Sequence, residues 1–308
     1  MSNVRVLNVC IDDWANFSHD NAKALRSVGI DCVDVKINKH IFNYQTESTL
    51  MDWAGVFKEV GKADVVQIMH SCAHTLLAIK PYLNGKRLFV VHAGTVYRQH
   101  HVHLNSVFDP YVEKSIIALG EFATLCEGAT YVVGAVDTDK FQPNYILGNR
   151  GKIVGHYPSN ANVKGTGTID QMVARNPKRG DFQFRYNTGF VDHAEVIKRY
   201  AGTDIYIELF APLQAGKPYG SWGITALEVA AMGKVCITNH TWKDVYEDAY
   251  GDIGLAVANT EEEFQEQLSR FISMTSKELR EEQLKTRSWV KLKHSYKATG
   301  TRYLEEIL

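Results

Sequence analysis

The stretch Tyr219–Asn239, YGSWGITALEVAAMGKVCITN, carries the residues whose types and spacing best suit chemistry. Two glycines, Gly220 and Gly223, stand before a helical pattern from about Thr225 to Met232. Gly233 ends that pattern, and a short apolar strand, Val235–Thr238, follows. A loop entering a helix presents unpaired N–H groups and the positive end of the helix dipole, which suit an anion such as a diphosphate. Glycine lets the backbone approach a ligand without a Cβ in the way. Glu228 falls in the first turn of the expected helix, where a carboxylate can accept two hydrogen bonds from a vicinal diol such as a ribose. That is a nucleotide site in outline. The same residues also fit an ordinary glycine-rich α/β turn with capping chemistry.

The elements that must position this stretch form a regular series. Short apolar strands are expected at Val4–Cys10, Cys32–Ile37, Val65–Met69, Leu88–Val91, Ala123–Leu125 and Tyr131–Val133, with helices at His19–Val28, Leu50–Val60, Cys72–Leu83 and Tyr111–Leu119. The alternation predicts an α/β fold with a parallel sheet covered on both faces. Ligands of such sheets bind beyond the carboxyl ends of the strands. That singles out Asp12, Asp13, His70, Ser71, His92–Thr95, Glu127 and Gly134–Asp137. Pro, Asn and Gly cluster in QPNYILGNRGK, Gln142–Lys152, and a domain boundary is expected there, giving domains 1–147 and 148–308. The alternation then restarts with strands Ile153–Gly155, Phe182–Tyr186, Ile205–Leu209, Val235–Thr238 and Leu255–Ala256. Helices are expected at Thr168–Ala174, His193–Tyr200 and Thr260–Met274, and a broken one at Ser276–Leu308 whose end packs back on the first domain. Two Rossmann-like domains in tandem, with a cleft between them, is the expected architecture.

Bulk properties narrow the function. The 308 residues are 45% hydrophobic and 22% charged with a net charge of −1, so no global attraction to nucleic acid or anionic membrane is expected, although a local basic groove is compatible. No apolar run approaches the roughly 18 residues that span a bilayer, and the first residues, MSNVRVLNVCIDD, read as a strand rather than a signal peptide. Cys10, Cys32, Cys72, Cys126 and Cys236 are scattered without zinc spacing and read as free thiols of a reducing compartment, the cytoplasm. His100, His101 and His103 lack the i, i+4 pairing of helical metal sites and read as a solvated loop; no metal site is expected. Asn239, His240, Trp242 and Asp244 read as a turn, and Glu208 as a buried, paired carboxylate of open role.

Several segments together resemble the retaining glycosyltransferases of the GT-B fold, family 4-like. GHYPSNANVKGTGTI (Gly155–Ile169) is similar to the family's strand end leading to Lys-Gly, and HAEVIKRYAGTDIYIEL (His193–Leu209) to the helix and strand before its donor loop. LEVAAMGKVCITN (Leu227–Asn239) resembles its Leu-Glu-Ala-Met-Ala-x-Gly-x-Pro-Val-Ile run, and YVVGAVDTDKFQP (Tyr131–Pro143) its crossover into the second domain. The resemblance covers most of residues 123–260, and the first 120 residues share only the general pattern. It implies that Lys164 neutralises the donor diphosphate and that Glu228, the second glutamate of a Glu-x7-Glu motif, holds the ribose. It implies further that Gly155, Ser159 and Gly165 line the phosphate approach, that Gly220, Gly223, Ile224 and Thr225 form the donor loop, and that His92 faces the transferred sugar. Asp12, Asp13 and His70 fall on the acceptor side. Two departures stand out: the motif's first glutamate falls on Gly220, and the arginine after the strand-end glycine falls on His156, which would line the diphosphate in its place.

The resemblance implies a sugar transferase using a nucleotide-activated donor, a UDP- or GDP-sugar, that is retaining and needs no metal or other cofactor. Lys164, His156 and the helix N-terminus would stabilise the leaving diphosphate. The acceptor stays open among glycan, lipid-linked, small-molecule and modified-DNA classes. The competing readings are a nucleotide-sugar epimerase, a non-catalytic nucleotide- or glycan-binding relative, and a transferase acting on modified DNA.

Overall fold

A computed structural model describes residues 4–145, 151–189, 191–214 and 216–308. The chain divides into two compact units, residues 1–135 with 294–308, and residues 136–293. The boundary expected at 147/148 lies outside the described residues.

In the first unit, β1 (Arg5–Cys10), β2 (Asp31–Lys36), β3 (Thr49–Leu50), β4 (Val65–Met69), β5 (Arg87–His92), β6 (Lys114–Ile117) and β7 (Thr130–Tyr131) form one sheet. Its order is β3-β2-β1-β4-β5-β6-β7 and its pairings are all parallel. Helices α1 (Phe17–Ser27), α2 (Trp53–Lys62), α3 (Ala73–Ile79) and α4 (Gly94–Phe108) connect the strands. Strands β1, β4 and β5 are buried almost throughout, as a sheet covered on both faces requires. Their Leu7, Val9, Val66, Ile68 and Val90 form the core with Val56 and Val60 of α2. The strand order reverses between β1 and β4.

The second unit has β8 (Lys152–His156), β9 (Phe182–Tyr186) and β10 (Ile205–Leu209). A small hairpin follows, β11 (Leu213–Gln214) and β12 (Lys217–Pro218), and then β13 (Val235–Thr238) and β14 (Ala256–Val257). The main sheet runs β14-β13-β10-β8-β9, again parallel, and its order reverses between β10 and β8. Helices α5 (Thr166–Arg175), α6 (His193–Ala201), α7 (Ile224–Ala231), α8 (Lys243–Tyr250), α9 (Glu261–Ser273) and α10 (Ser276–His294) surround it. Helix α7 is apolar on nearly every side and buried accordingly, whereas α9 carries a Thr260/Glu263 capping box and buries one stripe, Phe264, Leu268 and Phe271.

The last helix, α11 (Tyr296–Glu306), belongs to the first unit, where it lies along α1. A Cβ at Gly300 would sit 2.2 Å from the Ala24 carbonyl, so the two backbones meet at that glycine. Tyr296 donates to Asp20 of α1 at 2.6 Å.

Three expectations are corrected. Ala123–Leu125 is no strand, because Gly120–Thr124 forms a 3-10 turn. Tyr111–Leu119 is no helix: its centre is β6, paired in register with β5. The histidine-rich RQHHVHLN segment is no loop but part of α4, kinked at His100 (φ −126°, ψ 20°). Tyr97, Leu104 and Phe108 form its buried stripe, with half-buried His101 in the fourth position. The helical period was hidden because a histidine stands where an apolar residue would complete it.

Candidate functional site

The reversal of strand order in the second unit brings together the carboxyl ends of β8 and β10, the place where open α/β sheets bind ligands. Two loops meet there. In the first, the Asn160 side chain accepts the N–H groups of Asn162 (3.1 Å) and Val163 (3.2 Å), folding a tight turn that delivers Lys164. The Lys164 carbonyl accepts Phe210 N–H at 3.2 Å, which ties the turn to the end of β10. Gly165 closes the turn at φ +70°, and a Cβ there would lie 2.0 Å from the Phe210 carbonyl oxygen, so the position admits glycine alone without rearrangement. In the second loop, Gly223 caps α7. Lys164 Nζ donates to Glu208 Oε1, which also accepts Gly223 N–H at 3.3 Å, while Thr238 Oγ1 donates to Oε2 at 3.2 Å. A lysine ammonium and the first N–H of a helix therefore converge on one carboxylate.

Beside this cluster, Ser159, Asn160, Thr166, Tyr186, Thr188 and Gly189 line an open groove of about 610 Å³. Ser159 is exposed on its wall and Ile224 and Thr225 are half-buried at the head of α7.

The remaining donor-side candidates are held more tightly. His156 is fully buried; its Nδ1–H donates to the Ile207 carbonyl at 2.8 Å and its Nε2 accepts from the Thr166 hydroxyl at 2.9 Å. Burial pushes its pKa down to about 4, so it is a neutral strut joining β8, β10 and α5 and brings no positive charge to a phosphate. Gly155 is buried because a Cβ would strike Thr203 Oγ1 at 2.6 Å; its smallness serves packing. Gly220 has φ +114°, and a Cβ would lie 1.9 Å from Asn239 Nδ2. A glutamate side chain, expected there from the resemblance, would meet the same clash. Glu228 lies on the fifth residue of α7 rather than in its first turn, because the helix begins at Ile224. It is buried and accepts His193 Nε2–H at 2.8 Å.

In the first unit, the reversal between β1 and β4 gathers the acceptor-side candidates. Asp13 is buried and accepts Ser18 N–H (2.7 Å), His19 N–H (3.1 Å) and the Ser48 hydroxyl (3.0 Å), so it caps α1. His70 Nε2 lies 3.6 Å from Asp13 Oδ1. Burial alone would raise the Asp13 carboxyl, but the His70 ring, Ser18 N–H and Ser48 hydroxyl together hold it below its usual range. Asp12 is half-buried and accepts Asn38 Nδ2 at 3.0 Å. His70 and Ser71 both adopt left-handed backbone, with φ of 60° and 53°. The Ser71 hydroxyl lies 2.8 Å from His92 Nδ1, and the His92 ring stacks on Tyr97 at 4.1 Å. His92 is buried, which pushes its pKa down to about 4, and its Nε2 has no hydrogen-bond partner among the described residues.

Sequence reasoning missed three parts of the site. It assigned no role to His193 or Thr238, read Asn239 only as part of a turn, and left the role of Glu208 open. An acid in the otherwise apolar and aromatic run IYIEL was the available signal for Glu208, since a buried carboxylate must find a cation. For Asn239 the signal was its place just after β13; its bonds to Ala211 and Tyr219 left no trace in the spacing. Among the described residues, no group of three His, Cys, Asp or Glu side chains converges as a metal site would, and no helix is long and apolar enough to cross a membrane. All five cysteines are free.

No protein-family model and no curated protein matches the chain. Solved structures do. An α-glucosyltransferase in complex with UDP aligns over 98% of this chain and 99% of its own at TM-score 0.69 and 12% identity. The same enzyme has been solved with UDP and a 13-mer DNA containing an HMU base, aligning at TM-score 0.67 and 12% identity over 99% of both chains. Anabaena HepE in complex with UDP aligns over 98% of this chain and 99% of its own, at TM-score 0.65 and 11% identity. The likeness establishes the fold: two Rossmann-like units of the GT-B type.

Proposed function

We propose that the protein is a glycosyltransferase that takes a nucleotide-activated sugar in its second unit and moves the sugar to an acceptor hydroxyl. The observation that carries this reading is the convergence of Lys164 and the α7 N-terminus at the sheet's reversal point, beside an open groove. A lysine ammonium is a compact point charge suited to phosphate, and a helix N-terminus adds oriented N–H groups and a positive dipole end. Together they supply the positive field that a departing diphosphate needs as the glycosidic bond breaks, without calling on a metal ion. Glu228, oriented by His193, is the proposed ribose acceptor. UDP is the first nucleotide to test, because the α-glucosyltransferase and HepE structures contain it. His92, a neutral ring whose Nε2 has no hydrogen-bond partner among the described residues, is the sugar-facing candidate that the sequence resemblance implies. Retention of anomeric configuration belongs to the same proposal and rests on the sequence resemblance; a cytoplasmic location is proposed from the scattered free cysteines.

A thermal-shift panel of UDP, GDP, ADP and CDP with their common sugars tests the reading on wild type and Glu228→Ala. A ligand at 100-fold its Kd adds about 2.7 kcal/mol of stability. Stabilisation by one nucleotide, reduced in the variant, is the expected result. No response to any nucleotide sinks the proposal. Product analysis with oligosaccharide, small-molecule and modified-DNA acceptors then separates a transferase from a relative that binds without turnover.

A further inference from the structure

Within the site, the donor reading leaves the buried charge of Glu208 without a task. The Glu208 side chain has no exposed surface and belongs to the strand β10, whose other residues are Ile, Tyr, Ile and Leu. A carboxylate in such a place must be compensated by opposite charge and hydrogen bonds. Here the compensation comes from the two groups that face the proposed phosphate position: Lys164 Nζ and Gly223 N–H both bind Oε1. Packing around Gly223 is tight: a Cβ there would lie 3.2 Å from Lys164 Nζ and 3.3 Å from Glu208 Oε1, so both groups would have to give by a few tenths of an ångström. The other oxygen is anchored to β13 by Thr238. A carboxylate thus makes the contacts that a phosphate oxygen would make.

We infer that Glu208 is an internal counter-anion for the diphosphate site: it positions Lys164 and the head of α7 before the nucleotide arrives, and it lowers the affinity with which they hold the nucleotide afterwards. The inference rests on the donor reading. Lys164 is the partner free to move, since its side chain keeps 17% exposure against none for Glu208. When its ammonium turns to a diphosphate, the anchored carboxylate remains nearby as a like charge. Repulsion between the two anions favours release of the product nucleotide.

The test is calorimetric titration of UDP and of inorganic pyrophosphate into wild type, Glu208→Gln, Lys164→Ala and the double variant, at low and high salt. Glu208→Gln is expected to bind UDP at least fivefold more tightly, with the gain shrinking as salt rises and reduced in the Lys164→Ala background to the part owed to direct repulsion by the carboxylate. Damage to the fold would weaken binding, so a gain separates the charge effect from a merely structural one. Wild type that binds no diphosphate refutes the donor reading itself. Wild type that binds while Glu208→Gln binds equally or less tightly overturns the role of Glu208 and leaves the donor reading standing. Should Glu208→Gln fail to fold, a structure of wild type with UDP decides: Lys164 Nζ on a phosphate oxygen and off Glu208 is expected, and an intact Lys164–Glu208 pair beside bound UDP overturns the inference.

Discussion

Gly220→Ala is the sharpest test of how the loop before α7 is held. At φ +114° an alanine pays backbone strain of roughly 1–3 kcal/mol. Its Cβ would also lie 1.9 Å from Asn239 Nδ2 and 2.9 Å from Asn239 Cγ, so the amide must move. Such a shift is cheap for a loose side chain, but Asn239 is fully buried and bonded at both ends. Its Nδ2 donates to the Tyr219 carbonyl at 2.9 Å and its Oδ1 accepts Ala211 N–H at 2.7 Å. Losing both bonds and leaving their partners buried adds roughly 2–3 kcal/mol at the low end of such costs. The total is about 3–6 kcal/mol. For a unit of about 160 residues, each kcal/mol moves Tm by about 2–4 °C, so a fall of roughly 6–24 °C is expected in differential scanning calorimetry. A fall of less than about 3 °C would refute the claim that this glycine is sterically required. Gly220→Glu, which places a longer side chain at the same spot, should be no more stable than the alanine variant.

Three further outcomes are expected. His92, His156 and His240 are each pushed by burial from about 6.5 to about 4, so the unfolded chain binds more protons between those values. Stability is therefore complete above pH 6.5 and falls toward pH 4, by about 1.4 kcal/mol per pH unit per histidine; denaturant titrations near pH 5 should show uptake of about three protons on unfolding, and fewer than one would be inconsistent. Lys164→Ala strips the buried Glu208 of its cation and should cost about 2–3 kcal/mol in urea titrations, below the usual range for a broken buried pair because Lys164 is partly exposed; unchanged stability would mean that the pair is not formed. Gly300→Ala places a Cβ 2.2 Å from the Ala24 carbonyl and should cost about 1–3 kcal/mol, seen as faster amide exchange across 296–306. Unaltered exchange there would show that α11 does not depend on this close approach.

The sheet strands were legible in the sequence because buried parallel strands are short apolar runs that admit few other readings. Phe182–Tyr186, Ile205–Leu209 and Val235–Thr238 were located to the residue. Legibility failed where the pattern was diluted: β6 has only two buried residues, Ile116 and Ile117, and α4 mixes histidine into its apolar stripe. At the site, Lys164 and Glu228 were visible through the resemblance. The company they keep was not, since a hydrogen bond from His193 or a carboxylate 44 positions away leaves no trace in local spacing. His156 shows the converse. Its place in the motif suggested a phosphate contact, and the structure gives both its nitrogens internal partners.

The placement of α11 on α1 bears on how the protein is made. The second unit is one continuous stretch of chain, 136–293, and can close its core as soon as that stretch has left the ribosome. The first unit is begun earlier and finished later. Until residues 296–306 are synthesised, the α1 surface around Ala24 lacks the helix that covers it, through the whole translation of the other unit. A nascent chain stalled after residue 293 would leave that surface exposed.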